Sequence, residues 1–437
     1  LKKGGIFLLN CGWSVDELGK ILPASMKKAL AEKDAQFYTI DAVAIAKELG
    51  LGNRTNSVLQ ASFFKLTNII PIDDAVREMK EAIHKTYYVK RGQDVVDMNY
   101  AAVERGLEGV IKIEIPDSWA KSNEGEPENN SVPEFIRDVV IPMNRQEGDS
   151  LPVSIFKKHG LLDGTWHSGT TQFEKRGAAV DVPEWVSENC IQCNQCSYVC
   201  PHAAIRPFLL TDEESKNSPA EFSLVPARGK DLASYNYKIQ VSPYDCTGCG
   251  VCVNVCPSKE KALVLKPLAT QLKEAENWDY CMKSVTNKGD VASDKTVKAS
   301  QFAKPYFEFS GACAGCGETP YIKLVTQLYG ERMYITNASG CSSAYGGSTP
   351  ATPYCKNQEG KGPSWAMSLF EDNAEYAYGF LLGQEAIKKQ VMDKVQLLID
   401  AGIAVEEAKT YLEEGGSAEN SREVEDNLLA KITRLEG

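Results

Sequence analysis

The sequence predicts a multidomain α/β protein into which a small α+β domain made of two similar halves is inserted. Three observations carry this expectation. Short apolar runs alternate with helix-forming stretches at the start of the chain, and the same alternation returns after Phe302. Between them one cysteine pattern, CxxCxxCxxxCP, occurs twice, at Cys190, Cys193, Cys196, Cys200 and at Cys246, Cys249, Cys252, Cys256, an offset of 56 residues. A length of 437 residues leaves room for about three domains, each able to bury its own core.

Residues 1 to 120 read as α/β. The apolar run Gly5 to Asn10 suits a buried strand, and Ser14, with Asp16 and Glu17 behind it, suits the N-cap of a helix. A second strand is expected at Gln36 to Ile40, then a helix ending near Gly50 and mostly helical sequence from Ser57 to Tyr88, broken at Pro71. Cys11 stands alone there and reads as a buried core thiol. Residues 121 to 181 change character: the run KSNEGEPENNSVPE reads as a linker or surface insertion, and His159 and His167 as solvated or locally bonded side chains. The repeat occupies 182 to 285, with 211 to 230 expected as a loop between its halves and Asp212, Glu213 and Glu214 as a solvated acidic face. From 286 to 437 the expectation is α/β again: a helix near Tyr321 to Tyr329, a strand at Arg332 to Asn337, a Gly/Ser-rich turn at SGCSSAYGGSTP, and an exposed helical hairpin after Asp372.

The cysteine pattern has a chemical reason. Three thiolates at i, i+3 and i+6 wrap one face of an iron-sulfur cube, and in two-cluster bacterial ferredoxins the fourth ligand comes from the other copy. That rule assigns Cys190, Cys193, Cys196 and Cys256 to one 4Fe-4S cluster and Cys200, Cys246, Cys249 and Cys252 to a second. The proline after each fourth cysteine, Pro201 and Pro257, ends the preceding turn. Zinc is the competing reading, but a four-thiolate zinc site has no use for a third cysteine three residues on. Another CxxC, Cys313 and Cys316, with Cys341 beyond it, supplies three thiols, too few by themselves for a complete site.

A net charge of −11 argues against nucleic acid, and no stretch approaches the twenty or so apolar residues needed to span a bilayer. Nor does the start of the chain read as a signal peptide. Fourteen cysteines arranged in metal-binding runs imply a reducing compartment, by default the cytoplasm, and not a disulfide framework. The opening at Leu1, on what reads as a strand, suggests a piece of a longer or split polypeptide.

Taken together, NCIQCNQCSYVCPHAAIRPFLL, VSPYDCTGCGVCVNVCPSKEKALV, FEFSGACAGCGETPYIKL, ASGCSSAYGGSTPATPY and GPSWAMSLFEDNAEYAYG resemble pyruvate:ferredoxin oxidoreductase. The opening GGIFLLNCGWSVDEL and LQASFFKLTNIIP are similar to its coenzyme-A-associated domain. The resemblance implies the central segment of that enzyme: the later part of the coenzyme A domain (1–120), a linker domain (121–181), an inserted α+β two-cluster bacterial ferredoxin domain (182–285) and the first part of a thiamine-binding domain (286–437). It implies decarboxylation of pyruvate on thiamine pyrophosphate, with coenzyme A as substrate accepting the acetyl group. Electrons would leave through three 4Fe-4S clusters to ferredoxin or flavodoxin.

By the same resemblance Cys313, Cys316 and Cys341 hold the cluster nearest thiamine, its fourth ligand lying outside the chain. Glu318 and Cys341 face thiamine pyrophosphate, and Asn56 and Asn99 stand near coenzyme A. A homodimer is implied. Read without the resemblance, Glu318 could cap a helix and either asparagine could belong to a turn. Cys281 and Cys355 fit no ligand motif, and the segment that binds magnesium and diphosphate in the family does not occur, so those contacts and the missing ligand must come from remaining segments of the same enzyme. Two alternatives stay open: an electron-transfer polyferredoxin module without chemistry of its own, and an oxidoreductase for another 2-oxo acid, such as 2-oxoglutarate or an indolepyruvate.

Overall fold

The computed structural model describes residues 1–122, 132–292, 296–368, 373–417 and 420–436. Most of the polar run at 121–134 and the middle of SLFEDNAEY therefore lie outside the described residues. The chain forms two units, 1–129 and 130–437.

In the first unit the strand Ile6–Asn10 pairs in parallel with Gln36–Ile40, and Ile111–Ile113 adds an antiparallel third strand on the far side of Gln36–Ile40. The helix Val15–Ile21 starts where Ser14 and Glu17 close a reciprocal capping box, and Asp41 caps Ala42–Glu48 by accepting from the Ala44 N–H. Helix Asn56–Thr67 crosses Gln93–Glu108 so closely that a Cβ on Gly106 would come within 2.4 Å of the Val58 carbonyl oxygen, which only glycine tolerates. Helix Ile72–Arg91 packs outside this pair through Met79 and Ile83. Cys11 is only partly buried, at the edge of the Leu18, Leu30 and Phe37 core.

The second unit begins with helical pieces, Ile136–Val140, Ile141–Asn144 and Val153–Lys158, where a linker was expected. They have a small core of their own in Phe135, Ile136, Val139 and Val140, and short polar spacers hid its periodicity. His159 contacts Asp138 at 3.1 Å, and His167 stacks on Phe135 with ring centroids 3.9 Å apart, so both histidines are locally held.

Next comes the repeat. Strand Asp181–Trp185 pairs antiparallel with Leu263–Pro267, and Ile205–Leu210 pairs antiparallel with Asn236–Val241, which also carries Val225–Pro226. Ile205, Leu209, Tyr237, Ile239 and Leu263 form the core beneath the cysteine loops. Residues 211–230 are not simply a loop. Thr211 caps the short helix Asp212–Lys216 in a second capping box. Asp212 and Glu213 are exposed as expected, but Glu214 turns inward to Lys288 at 2.7 Å and to the Thr286 N–H at 2.8 Å.

Burial pushes the Glu214 carboxyl up, yet the bonds from Lys288, Thr286 and Thr211 outweigh it and bring the group down from 4.5 to about 2. A depressed carboxyl contributes stability that is present above its unfolded value and lost as pH falls through the folded value. Wild type is therefore expected to lose stability between about pH 4.5 and 2 more steeply than Glu214→Gln, as read by denaturant midpoints across that range.

In the last part, helix Thr319–Tyr329 precedes the parallel pair Tyr334–Asn337 and Ser364–Met367. The Gly/Ser-rich stretch is not a turn. Cys341–Gly347 is a helix entered through Gly340, whose φ of +146° lies in the region that favours glycine. After Asp372 come three helices and not a hairpin: Ala374–Asp400, Val405–Glu414 and Ser421–Glu436 share a core of Val395, Ala408 and Leu428. Among the described residues no helix is long and apolar enough to cross a membrane.

Candidate functional site

The cysteine repeat folds into two backbone loops of the same design. In the first, Gln192 and Asn194 take left-handed conformations and Gln195–Tyr198 forms one helical turn; in the second, 56 residues on, Gly248, Gly250 and Val251–Asn254 do the same. The loops curl so that backbone N–H groups point at sulfur. Gln192 N–H donates to Cys190 Sγ, and Gly248 N–H donates to Cys246 Sγ, each at 3.4 Å.

Glycine adopts such a backbone freely, and at Gly248 a Cβ would also come within 2.8 Å of the Asp181 carbonyl oxygen. Gln192 and Asn194 are held there instead by buried side chains. Gln192 donates to the Pro226 carbonyl and accepts from the Arg228 N–H, while Asn194 accepts from Tyr237 Oη at 2.7 Å and donates to the Lys298 carbonyl at 2.8 Å. Sequence reasoning missed this pair of anchors. Aligning the two copies would have exposed them, because Gln192 and Asn194 fall on Gly248 and Gly250.

The loops enclose two cavities. One is lined by Cys190, Cys193, Cys196 and Cys256, the other by Cys200, Cys246, Cys249 and Cys252. Each therefore draws three thiols from one copy and one from the other. Burial pushes the Cys196 thiol well up, and Cys190, Cys193 and Cys256 raise it further; burial pushes Cys252 up likewise, with Cys200, Cys196, Cys246 and Cys249 adding to it. Burial dominates at Cys246 too, which reaches about 12 although the Gly248 N–H opposes it.

Among the described residues no three His, Cys, Asp or Glu side chains converge as a single ion requires; the sulfurs line a volume instead. Trp185 Nε1 beside the first cavity and Thr247 Oγ1 beside the second are buried without a partner. Two apolar chambers, each with four thiols and buried donors, fit an iron-sulfur cube whose sulfides accept hydrogen bonds.

The Cys313–Cys316 loop lies against the second cavity. A Cβ on Gly315, at φ +75°, would sit 3.7 Å from the Cys249 Cβ and 3.7 Å from Val251 Cγ2. His202, two residues beyond Cys200, bonds the Ser310 carbonyl through Nδ1 at 3.1 Å, and Phe309 N–H returns a bond to the His202 carbonyl at 2.9 Å. A charged triplet closes the seam: Lys175 pairs with Asp245 at 2.5 Å, Arg176 pairs with Glu174, and Arg176 also donates to the Ser310 carbonyl at 3.4 Å. Nothing in the sequence singled out Glu174, Lys175 and Arg176, because three adjacent charges read as surface.

Glu318 occupies the N-cap of Thr319–Tyr329, yet its side chain makes no capping bond and is exposed. It lies beside Tyr345, whose phenol burial pushes up and Glu318 and Cys316 push further. Cys341, exposed, stands one turn before Tyr345 on the same helix, so the two share a face. Cys281 and Cys355 are buried and line neither cavity, Cys355 bonding the Pro305 carbonyl at 3.6 Å.

In the first unit Asn56 is exposed at the start of its helix. Asn99 is buried, neither in a turn nor open: it accepts from Ser57 Oγ at 3.0 Å and donates to the Val95 carbonyl at 2.9 Å, tying two helices together.

Three family models match parts of the chain. Residues 1–109 match the family model described as pyruvate ferredoxin/flavodoxin oxidoreductase, 122–179 a domain of unknown function, and 186–260 a 4Fe-4S dicluster domain. The chain is 53% identical over 400 residues to a pyruvate-flavodoxin oxidoreductase of Enterobacter agglomerans, covering 92% of this chain and 34% of that protein. It is 48% identical over 438 residues to a pyruvate:ferredoxin oxidoreductase of Moorella thermoacetica, covering 99% and 37%. A pyruvate-flavodoxin oxidoreductase of Klebsiella pneumoniae is 47% identical over 436 residues, covering 99% and 37%. The chain thus spans about a third of the length of these relatives.

Proposed function

Because the chain belongs to the pyruvate:ferredoxin/flavodoxin oxidoreductase family, we propose that it is the electron relay and part of the active site of an enzyme converting pyruvate and coenzyme A to acetyl-CoA and CO2. Electrons leave to ferredoxin or flavodoxin, the partners in its relatives' names. The observation that carries this is the close approach of Gly315, in the Cys313–Cys316 loop, to Cys249, which supports a relay between thiol sites far apart in sequence.

The residues divide the work as follows. Cys190, Cys193, Cys196 and Cys256 hold one 4Fe-4S cluster, and Cys200, Cys246, Cys249 and Cys252 hold a second, in an inserted domain over 182–285. Cys313, Cys316 and Cys341 offer three thiols for a third, with the fourth ligand supplied from outside this chain. Thiamine pyrophosphate with Mg2+, when bound, supplies the electron sink for decarboxylation. Glu318, free of any capping bond, presents its carboxylate toward that cofactor beside Tyr345, and Cys341 brings the third motif to the same place. On the coenzyme A side Asn56 is open to a ligand, whereas Asn99 serves as the strut that fixes the helix Asn56 begins.

Cys313→Ser tests the reading. Pyruvate-driven reduction of the two clusters of the cysteine repeat is expected to slow by at least tenfold while dithionite still reduces both, followed by anaerobic visible absorption. Unchanged pyruvate-driven reduction would overturn the assignment of the third motif and leave a polyferredoxin module.

A further inference from the structure

The helix Thr319–Tyr329 carries a lysine that the cluster reading does not use. Lys323 is 2% exposed, and its ammonium donates to the carbonyl of Ser197, the residue after Cys196. Cys200, Arg206 and Cys196 act on it electrostatically, so one thiol lining each cavity lies within its field. Arg206 is neutralised by Glu308, but no carboxylate pairs with Lys323 among the described residues. A buried ammonium without a counter-charge is costly, and two four-thiolate clusters are the negative charge available to offset it.

We propose that Lys323 is the positioning residue that sets the reduction potentials of both repeat clusters, by holding a fixed positive charge between them. The proposal rests on the reading of the two cavities as 4Fe-4S sites. Each cluster takes up one electron on reduction and becomes more negative, while Lys323 keeps its proton throughout. A neighbouring cation in a low-dielectric interior favours the reduced form and raises the potential. Burial is the main force bringing the lysine down to about 8; Arg206 adds to it, while Cys200 and Cys196 oppose it.

The helix that bears Lys323 begins three residues after Cys316, so the segment that offers the third thiol site also tunes the other two.

Lys323→Met, Lys323→Gln and Lys323→Arg test it in the anaerobically prepared, cluster-loaded protein, using iron and sulfide assay followed by EPR-monitored redox titration. Lys323→Met is expected to keep the wild-type iron and sulfide while shifting the electron equilibrium at least tenfold against reduction, about 59 mV for a one-electron couple, with Lys323→Arg close to wild type. Full iron and sulfide with unchanged potentials in Lys323→Met would overturn the proposal. Should Lys323→Met lose its iron, Lys323→Gln keeps a donor for Ser197 without the charge and is read in the same way. Loss of iron from both neutral variants with retention in Lys323→Arg supports the charge, and loss from all three overturns it. Absence of iron and sulfide from the wild-type protein would overturn the cluster reading itself, a distinct result.

Discussion

Cys256→Ser removes the cluster held with Cys190, Cys193 and Cys196 and leaves the set of Cys200, Cys246, Cys249 and Cys252 intact: that is the expected result, and it is the largest effect a single atom should have here. Cys256 belongs by sequence to the second copy, but it lines the first cavity. Its thiol is buried, which works against ionisation, yet the backbone N–H groups of Ala262 and Ser258, the Ser258 hydroxyl and Lys261 together outweigh burial and hold it below its ordinary value. A thiol so placed is prepared to be a ligand thiolate, and a serine hydroxyl is not. Iron and acid-labile sulfide from the repeat should fall to about half, and magnetic coupling between two reduced clusters should vanish from the EPR spectrum. Loss of the Cys246 set with survival of the Cys190 set would sink the crossed assignment.

The second large effect is expected on stability. Arg206 and Glu308 form an ion pair with side chains 7% and 2% exposed, joining the strand Ile205–Leu210 to the segment that leads into Cys313. Arg206 also donates to the Ala203 carbonyl at 2.8 Å and lies 5.1 Å from the Trp278 ring centroid and 5.4 Å from that of Phe309. Glu308→Gln leaves a buried guanidinium without its counter-charge, which costs about 3–5 kcal/mol. Urea unfolding midpoints measure it. Replacing both partners by apolar residues, Arg206→Met with Glu308→Leu, should recover most of the loss, because the desolvation of two charges then disappears along with their attraction. A loss below about 1 kcal/mol in Glu308→Gln would mean that water reaches the pair.

Much of this was legible from residue order. The strand Gln36–Ile40 and the Ser14 cap follow from local rules, since a short apolar run and a reciprocal Ser/Glu pair act within a few residues. The eight repeat cysteines were legible because a cube imposes a spacing. What escaped was decided by partners distant in sequence. Glu214 read as surface because nothing nearby in the chain announces Lys288, and Cys341–Gly347 read as a turn because its Ser and Gly content masks a helix anchored through Tyr345 against Phe307 and Tyr354. Lys323 was not singled out at all, because only its packing on Ser197, more than a hundred residues earlier, makes it a buried group. Asn99 was picked for a ligand role, and its amide is already engaged with Ser57 and Val95.

The pairing of Asp181–Trp185 with Leu263–Pro267 bears on how such a chain is made. Every thiol that lines the two chambers lies before residue 268, yet Asn194 leans on the Lys298 carbonyl and the core beneath the loops includes Phe302. Domains fold as units, earlier ones first, during translation. The two loops therefore take shape early and are locked only when the segment around Lys298 and Phe302 arrives, so a chain stopped between residues 268 and 298 should hold its cysteines in a looser frame.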